Sequence, residues 1–216
     1  MNTNLFSQMT QAILDGDPEL AESLARQALE SGLDPLEAIN QGYVPGLDEV
    51  GAQFSTGEMF LPDLVLAAEA MKAAIAVLEP AMAQQGRARQ ILGTVVIGTI
   101  EGDIHDIGKT LVATMLAASG FAVHDLGVNV PIKTFIETAQ QVNADLIGAS
   151  ALLTTTMVKQ RDLVNALEAA GLRSKIKVMV GGAPVTAEWV TEIGADGFSR
   201  DAIGAVQLAK TLVTKA

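Results

Sequence analysis

After residue 90 the sequence alternates short apolar runs with longer amphipathic runs, and this alternation constrains the fold more than any other feature. Strands that are separated by helices form a parallel sheet with helices on both faces. The strands are predicted at Ile91–Gly98, Ala122–Gly127, Leu146–Ala151, Lys177–Val180 and Gly197–Ser199. The helices are predicted at about Gly108–Ser119, Pro131–Val142, Met157–Ala170, Thr186–Ile193 and Ala202–Thr214. Residues 91–216 are therefore expected to form an α/β domain around a five-stranded parallel sheet.

Residues 5–80 follow a helical period instead. Leu20, Leu24 and Ala28 recur at four-residue steps, which places them on one apolar stripe of a helix. Few strand signals precede residue 90. An N-terminal all-α helical bundle is therefore predicted over residues 1–85.

Glycine and proline mark the breaks in this helical half. Gly42 and Pro45 are expected to interrupt it, and Pro80 to end it. The segment Ala81–Gln90 that follows is polar and rich in small residues. It is predicted to be a linker between the helical bundle and the domain that begins at residue 91.

Composition excludes several classes of function. The formal net charge of −11 argues against nucleic acid and anionic membranes as partners, because both are bound through basic patches. The chain has no cysteine, which excludes thiolate metal sites, iron–sulfur clusters and cysteine nucleophiles. No apolar run reaches the ~20 residues of a membrane span, and the start lacks the pattern of a signal peptide. A cytoplasmic location is expected.

The run Glu101–Thr110, between a predicted strand and a predicted helix, is the best candidate for chemistry. Asp103, His105 and Gly108 form the pattern D-x-H-x-x-G. An aspartate can orient an imidazole through one ring nitrogen and leave the other nitrogen to bind a metal. A plain strand-to-helix turn would contain the same glycines, so the pattern alone leaves both interpretations open.

A phosphate-binding loop is a rival interpretation of the same run. Five residues (103–107) lie between Gly102 and Gly108, whereas the phosphate-binding motif has four at that place. Glu101, Asp103 and Asp106 would also repel a phosphate. The spacing and the charges both disfavour a nucleotide site.

Other metal sites have less support. A zinc hydrolase needs about three protein ligands, and His124, the other histidine of the chain, lies inside a predicted strand. An iron site could be drawn from Asp103, His105 and Asp106, but no further residue in the sequence supports it.

Polar and small residues follow three of the predicted strands. Asp103 and His105 follow the first, Ser150 and Thr154 the third, and Gly181-Gly182 the fourth. Ligands of parallel sheets bind at the carboxyl ends of the strands. These segments are therefore expected to meet at one edge of the sheet.

The order of these motifs resembles the cobalamin-binding module of methionine synthase and of the small corrinoid proteins of methyltransferase systems. That family has D-x-H-x-x-G, then S-x-L, then G-G. Here Ser150-Ala151-Leu152 follows Gly108 after 41 residues (109–149), and Gly181-Gly182 follows Leu152 after 28 (153–180). The helical half also resembles the cap domain that precedes this module, at Val50-Gly51, Phe54, Gly57-Glu58-Met59-Phe60-Leu61-Pro62 and Met71-Lys72. The resemblance implies a Rossmann-like (flavodoxin-like) fold for residues 91–216.

The resemblance also implies a role for each matching residue. His105 would be the lower axial ligand of cobalt and would displace the dimethylbenzimidazole of the cofactor. Asp103 would hydrogen-bond the far nitrogen of His105, and Thr156 would extend that relay. Phe60 would cover the upper face of the corrin, unless it is an ordinary core residue of the bundle. The residues implied to line the channel of the nucleotide tail or otherwise to contact the cofactor are Ile107, Gly108, Ser150, Leu152, Thr154, Gly181 and Gly182.

The function implied is that of a methyl carrier rather than an enzyme in its own right. The cofactor would be cobalamin, as methylcobalamin or Co(I) cobalamin, or a related corrinoid. The partners would be a substrate-specific methyltransferase, a second methyltransferase whose acceptor is tetrahydrofolate or a thiol, and a reductive activase. A cobalamin-dependent sensor and the cobalamin subunit of a mutase remain alternatives. The methyl donor, which could be methanol, a methylamine, a quaternary amine, a thiol or an aryl methyl ether, is not encoded in this chain.

Overall fold

A computed structural model describes residues 2–84 and 91–214 of the chain. The chain divides into two compact units, Met1–Gln90 and Ile91–Ala216. The described part of the first unit is helical, and the second is built on a parallel sheet. This confirms the predicted fold class of a helical bundle followed by a Rossmann-like α/β domain.

The described part of the first unit contains five α-helices, and two of them begin at an aspartate that caps the helix. The five helices are α1 (Asn2–Leu14), α2 (Pro18–Glu30), α3 (Pro35–Glu37), α4 (Val44–Thr56) and α5 (Leu61–Gln84). Asp17 caps α2 by accepting a hydrogen bond from the backbone N–H of Leu20 at 2.9 Å. Asp34 caps α3 in the same way, and a proline follows each of these caps. Small and aliphatic side chains of α2 and α5 fill the interior of the unit.

The expected interruption at Gly42 and Pro45 is wrong, because the helical backbone continues through both. A π-helical segment, Ala38–Tyr43, joins α3 directly to α4. The hydroxyl of Thr10 donates a hydrogen bond of 2.7 Å to the carbonyl of Gly42. This bond satisfies a carbonyl in the segment where the hydrogen-bond pattern of the helix is irregular.

The last helix of this unit is longer than the sequence predicts. Pro80 lies inside α5 rather than at its end, and α5 continues to Gln84. Residues 81–84 are therefore helical, although the sequence placed them in a linker. Residues 85–90, the remainder of the predicted linker, lie outside the described residues.

The second unit has a parallel sheet with the strand order β2-β1-β3-β4-β5. The strands are β1 (Thr94–Thr99), β2 (Ala122–Asp125), β3 (Leu146–Ser150), β4 (Lys177–Gly181) and β5 (Gly197–Phe198). The helices are α6 (Ile107–Ala118), α7 (Ile132–Gln141), α8 (Thr154–Ala169), α9 (Ala187–Ile193) and α10 (Ala202–Thr214). Each predicted strand and helix is present, with ends that differ by a few residues.

Two of these differences are at the starts of β1 and α8. The first strand begins at Thr94 rather than Ile91, and the side chains of Ile91 and Leu92 are exposed. Helix α8 begins at Thr154 rather than Met157. Threonine is a weak helix former, but here the hydroxyl of Thr156 in the first turn donates to Asp103 and to the carbonyl of Leu153.

The register of the sheet aligns the ends of three strands. Thr99 of β1 lies beside Ser150 of β3, and Ser150 lies beside Gly181 of β4. The loops that follow these strands are consequently neighbours at one edge of the sheet, as predicted. No helix in the described residues is long and apolar enough to cross a membrane.

Candidate functional site

The loop after β1 is fixed by its neighbours on both sides. The backbone N–H of Gly102, which has a positive φ of 86°, donates to the side-chain oxygen of Asn129 at 2.8 Å. The backbone N–H of Asn129 in turn donates to the carbonyl of Asp103 at 2.8 Å. The hydroxyl of Thr99 donates to the carbonyl of His105 at 2.8 Å. The backbone that carries Asp103 and His105 is therefore held in place without a ligand.

Asp103 and His105 form a close pair. The ring Nδ1 of His105 lies 2.6 Å from Oδ1 of Asp103, and the backbone N–H of His105 donates to the same oxygen at 3.0 Å. An ionised carboxylate can only accept hydrogen bonds, so Nδ1 carries the hydrogen and Nε2 of the neutral ring keeps its lone pair. No partner of Nε2 is present in the described part of the chain. The side chain of His105 is 48% exposed, whereas that of Asp103 is fully buried.

The second oxygen of Asp103 binds the loop that follows β3. Oδ2 accepts hydrogen bonds from the backbone N–H of Leu152 at 2.8 Å and of Leu153 at 3.3 Å. It also accepts one from the hydroxyl of Thr156 at 2.7 Å. Thr156 is buried in the first turn of α8. The geometry thus contains the histidine–aspartate–threonine chain of contacts that the resemblance implies.

These contacts determine the charge of Asp103. Burial alone would raise the pKa of this carboxyl group, because it disfavours the charged form. Hydrogen bonds from Thr156, His105 and Leu152 outweigh burial and hold the pKa of Asp103 well below its ordinary value. Asp103 is therefore an anion throughout the neutral range, and it keeps His105 in one tautomer and one orientation.

Large exposed apolar side chains flank His105 in the sequence and also occupy the loop after β3. Ile104 is 74% exposed and Ile107 81% exposed, and Leu152 and Leu153 are also exposed. A monomeric protein rarely leaves several such residues uncovered around one polar group.

Two of the predicted glycines, Gly108 in the first turn of α6 and Gly181 at the end of β4, face open space. A Cβ atom added at Gly108 or at Gly181 would have no heavy atom within 4 Å. Gly182 differs, since its φ is 122° and an added Cβ would lie 1.7 Å from the carbonyl oxygen of Ala151. Gly182 is therefore required by the backbone itself, whereas the other two glycines leave room that the protein does not fill.

The remaining predicted residues lie at the same edge or in the other unit. Ser150 ends β3 and Thr154 begins α8, and both are at least partly exposed. Phe60 belongs to the helical unit and is 65% exposed. The alternative that Phe60 is an ordinary core residue of the bundle is therefore wrong.

Three residues of the site were not singled out from the sequence. Asn129 has a positive φ of 53°, a conformation that asparagine tolerates better than most residues. Gln160, buried in α8, donates from its amide nitrogen to the carbonyls of Ala149 and Gly181 at 2.9 and 3.1 Å. Its amide oxygen accepts a hydrogen bond of 3.0 Å from the indole N–H of Trp189. The third is Lys109, whose buried side chain contacts two aspartates.

The rival sites considered from the sequence are not assembled. Asp106 pairs with Lys109 at 2.7 Å rather than with His105, so the iron site drawn from Asp103, His105 and Asp106 does not form. The same pairing occupies the lysine that a phosphate loop would need. Across residues 2–84 and 91–214, no group of three or more His, Cys, Asp or Glu side chains is placed to hold a metal ion.

Comparison with known proteins identifies the family. A family described as the B12 binding domain matches residues 93–207, and a second family with the same description matches residues 5–79. The chain belongs to the B12-binding domain family. The resemblance drawn from the motifs is therefore confirmed, and so is the prediction that the cofactor is cobalamin or a related corrinoid.

Relatives of this B12-binding chain match it over nearly the whole length. A corrinoid protein of Desulfitobacterium hafniense (strain Y51) is 45% identical over 216 residues and is covered completely, as is this chain. Trimethylamine corrinoid protein 1 of Methanosarcina mazei is 49% identical over 206 residues, which is 95% of each chain. In the crystal structure of the methanol:cobalamin methyltransferase complex of Methanosarcina barkeri, one chain matches with a TM-score of 0.87 and 28% identity, covering 100% of this chain and 82% of that one.

The hydrogen bonds of Asp103 predict how the cofactor-free protein responds to acid. Asp103→Asn should lower the free energy of unfolding at pH 7 by about 2 kcal/mol, because it places N–H groups against the donors of Leu152 and Thr156. Since the pKa of Asp103 is depressed in the folded state, the wild type should lose this advantage as the pH falls below about 4, where the unfolded chain takes up a proton first. Urea unfolding followed by the fluorescence of Trp189, the one tryptophan of the chain, measures the difference at each pH.

Variants of Thr156 provide the matched control. Thr156→Ser keeps the hydroxyl group and should behave as the wild type, whereas Thr156→Val should lose part of the stability. A difference between wild type and Asp103→Asn that stays constant from pH 7 to pH 3 would contradict the prediction.

Proposed function

We propose that this chain is a corrinoid methyl carrier that binds cobalamin through His105, with the cofactor's own base displaced. The observation that carries the proposal is the Asp103–His105 pair: the ring is half exposed, Nδ1 is held by Asp103, and Nε2 has no partner among the described residues. A histidine in these surroundings has the orientation and the accessibility of a metal ligand.

The names of the relatives support a role in methyl transfer. Relatives that are 46–50% identical are named as trimethylamine and dimethylamine corrinoid proteins, and the similar chain of known structure comes from a methanol:cobalamin methyltransferase complex. We propose that this chain serves a substrate-specific methyltransferase and a second methyltransferase whose acceptor is tetrahydrofolate or a thiol. A reductive activase completes the proposed set of partners. The proposal includes a cytoplasmic location.

When bound, cobalamin supplies a cobalt ion that can accept a methyl group and give it up again. His105 would donate the lone pair of Nε2 to that ion, while Asp103 holds the hydrogen on Nδ1. A negative partner 2.6 Å away raises the electron-donating strength of the ring. The anionic Asp103 would keep the hydrogen on Nδ1, so that Nε2 stays available to the metal.

Other residues would hold the nucleotide tail of the cofactor. Gly108 and Gly181 leave space that a chain of ligand atoms can enter without meeting a side chain. Ser150 and Thr154 offer hydroxyl groups at the same edge of the sheet. Phe60, exposed on the helical unit, is proposed to cover the upper face of the corrin. On this proposal the chain carries the methyl group, and the catalytic residues belong to its partners.

The first prediction from the proposal concerns methyl transfer itself. The chain is loaded with cobalamin under reducing conditions and mixed in turn with purified methyltransferases that act on trimethylamine, dimethylamine or methanol. Loaded wild-type protein should support consumption of at least one donor, measured by chromatography, at a rate well above that of the same concentration of free cobalamin. Consumption of none of the three donors would contradict the assignment of this chain to these systems.

The second prediction concerns the ligand of cobalt. Protein labelled with ¹⁵N-histidine and loaded with unlabelled cobalamin in the cobalt(II) state should show an electron paramagnetic resonance splitting that depends on the label. His105→Ala should abolish that dependence, because it removes the nitrogen that binds the metal. His124→Ala is the matched control, since His124 is exposed on the edge strand β2 and is the other histidine of the chain. Loss of the splitting in His124→Ala, or its persistence in His105→Ala, would refute the ligand assignment.

The third prediction separates stability from binding. Gly108→Ala places a methyl group in open space in the first turn of α6, so the cofactor-free protein should be as stable as the wild type or more stable by up to about 1 kcal/mol. The same methyl group would occupy the proposed path of the tail. The affinity for cobalamin should therefore fall about tenfold, in line with the ~1–3 kcal/mol typical of overpacking.

Thr211→Ala, on the exposed side of α10, tests whether helix propensity alone explains the result. It should leave cobalamin affinity unchanged. Fluorescence titration measures affinity, and urea unfolding measures stability. Unchanged affinity in Gly108→Ala would remove Gly108 from the proposed channel.

A further inference from the structure

Lys109 is a buried cation beside the histidine loop. Its side chain is 2% exposed, and its ammonium nitrogen lies 2.7 and 2.6 Å from the two oxygens of Asp125. The same nitrogen lies 2.7 Å from an oxygen of Asp106. One ammonium group therefore holds two carboxylates.

The two aspartates belong to different segments of the α/β unit. Asp106 follows His105 directly and precedes α6, whereas Asp125 is the last residue of β2. Asp125 also accepts a hydrogen bond of 2.9 Å from the backbone N–H of Gly127, which fixes its carboxylate against the loop after β2. Lys109 thus connects the residue next to His105 to the edge strand of the sheet.

The lysine end of this connection is buried, whereas Asp106 and Asp125 are partly exposed. Burial by itself would lower the pKa of Lys109, but the bonds to Asp106 and Asp125 outweigh burial and raise it, so the side chain is a cation at neutral pH. A neutral side chain of similar length would leave two carboxylates close together with no charge between them. Their repulsion would move the exposed and less constrained Asp106, and His105 with it.

The other contacts of His105 show what Lys109 adds. Thr99 binds the carbonyl of His105, and Asp103 binds its N–H and its ring. Both contacts hold the loop on the side toward β1 and β3. Only Lys109, among the described residues, ties the following residue, Asp106, to β2. The loop is therefore fastened from both directions.

We infer that Lys109 is a positioning residue that holds His105 in place to bind cobalt. The inference rests on the proposed function, because it assumes that His105 is the ligand. Lys109 itself contacts neither the ring of His105 nor Nε2. Its effect is exerted through Asp106 and the backbone of the loop.

Lys109→Met tests the inference in the full chain loaded with cobalt(II) cobalamin and labelled with ¹⁵N-histidine. The ratio of histidine-bound to unbound cobalt, read from the label-dependent splitting, should fall about tenfold, the lower end of the effect of removing a residue that supports a metal ligand. Lys109→Arg, which keeps the charge, should recover much of the signal. An unchanged ratio in Lys109→Met would overturn the inference.

A second cation controls for a general loss of stability. Arg173 precedes the amino end of β4, whereas the histidine loop follows the carboxyl end of β1. Arg173 pairs with Asp196 at 2.7 Å. Arg173→Met should lower the melting temperature but leave the ratio of bound to unbound cobalt as in the wild type. If the ratio fell as far in Arg173→Met as in Lys109→Met, the loss of bound cobalt would be due to lower stability, and the inference would be overturned.

Asp125→Asn keeps the inference testable if Lys109→Met does not fold. This change leaves the Lys109–Asp106 pair but weakens its attachment to β2, so it should lower the ratio in a folded protein. No change in Asp125→Asn would count against Lys109 as the connection. Absence of a label-dependent splitting in the wild type would instead refute the histidine ligand, which separates failure of the proposed function from failure of this inference.

Discussion

The site depends on one buried carboxylate. Asp103 is removed from water, which carries a large cost for a charge unless hydrogen bonds replace its hydration. The donors that replace it come from the loop after β1 and from the loop after β3, about fifty positions apart in sequence. The charge therefore joins two loops, and its stability requires that both be in place. His105 gains its orientation from the same charge.

The parallel sheet makes this arrangement possible. Neighbouring strands of a parallel sheet deliver their ends to the same edge, and the register places Thr99, Ser150 and Gly181 side by side. Side chains that must meet can then be carried by separate loops on a rigid base. Gln160 strengthens that base by bonding carbonyls of β3 and β4 at the edge itself. In α/β proteins the residues that bind a ligand commonly lie on loops, and the strands support those loops.

Local and periodic features were predictable from the sequence, whereas features that depend on tertiary contact were not. The two-residue spacing of Asp103 and His105 and the alternation of strands and helices are local, and both predictions agree with the structure. Lys109 could not be assigned because its partner Asp125 becomes a neighbour only when β2 pairs with β1. The role of Asn129 could not be predicted either, because it depends on the backbone conformation of Asn129 and on its contact with Gly102.

One of the errors in the helical half has a similar origin. Gly42 and Pro45 usually break a helix, yet here a hydroxyl group from α1 satisfies the irregular segment, and the helix continues. Pro80 was taken as a helix end, but the helix continues past it to Gln84. At Gly42 a tertiary hydrogen bond outweighs the local preference of the residue, whereas nothing in the structure explains the continuation past Pro80.

The outward-facing isoleucines beside His105 have a consequence for the life of the protein in the cell. Ile104 and Ile107 are exposed in the chain without a ligand, because the protein's own hydrogen bonds fix the backbone of the loop. If the ligand proposed above covers these side chains, a chain made faster than its cofactor is supplied carries an uncovered apolar patch, which favours self-association. On that proposal, cofactor supply would govern the solubility of the newly made chain.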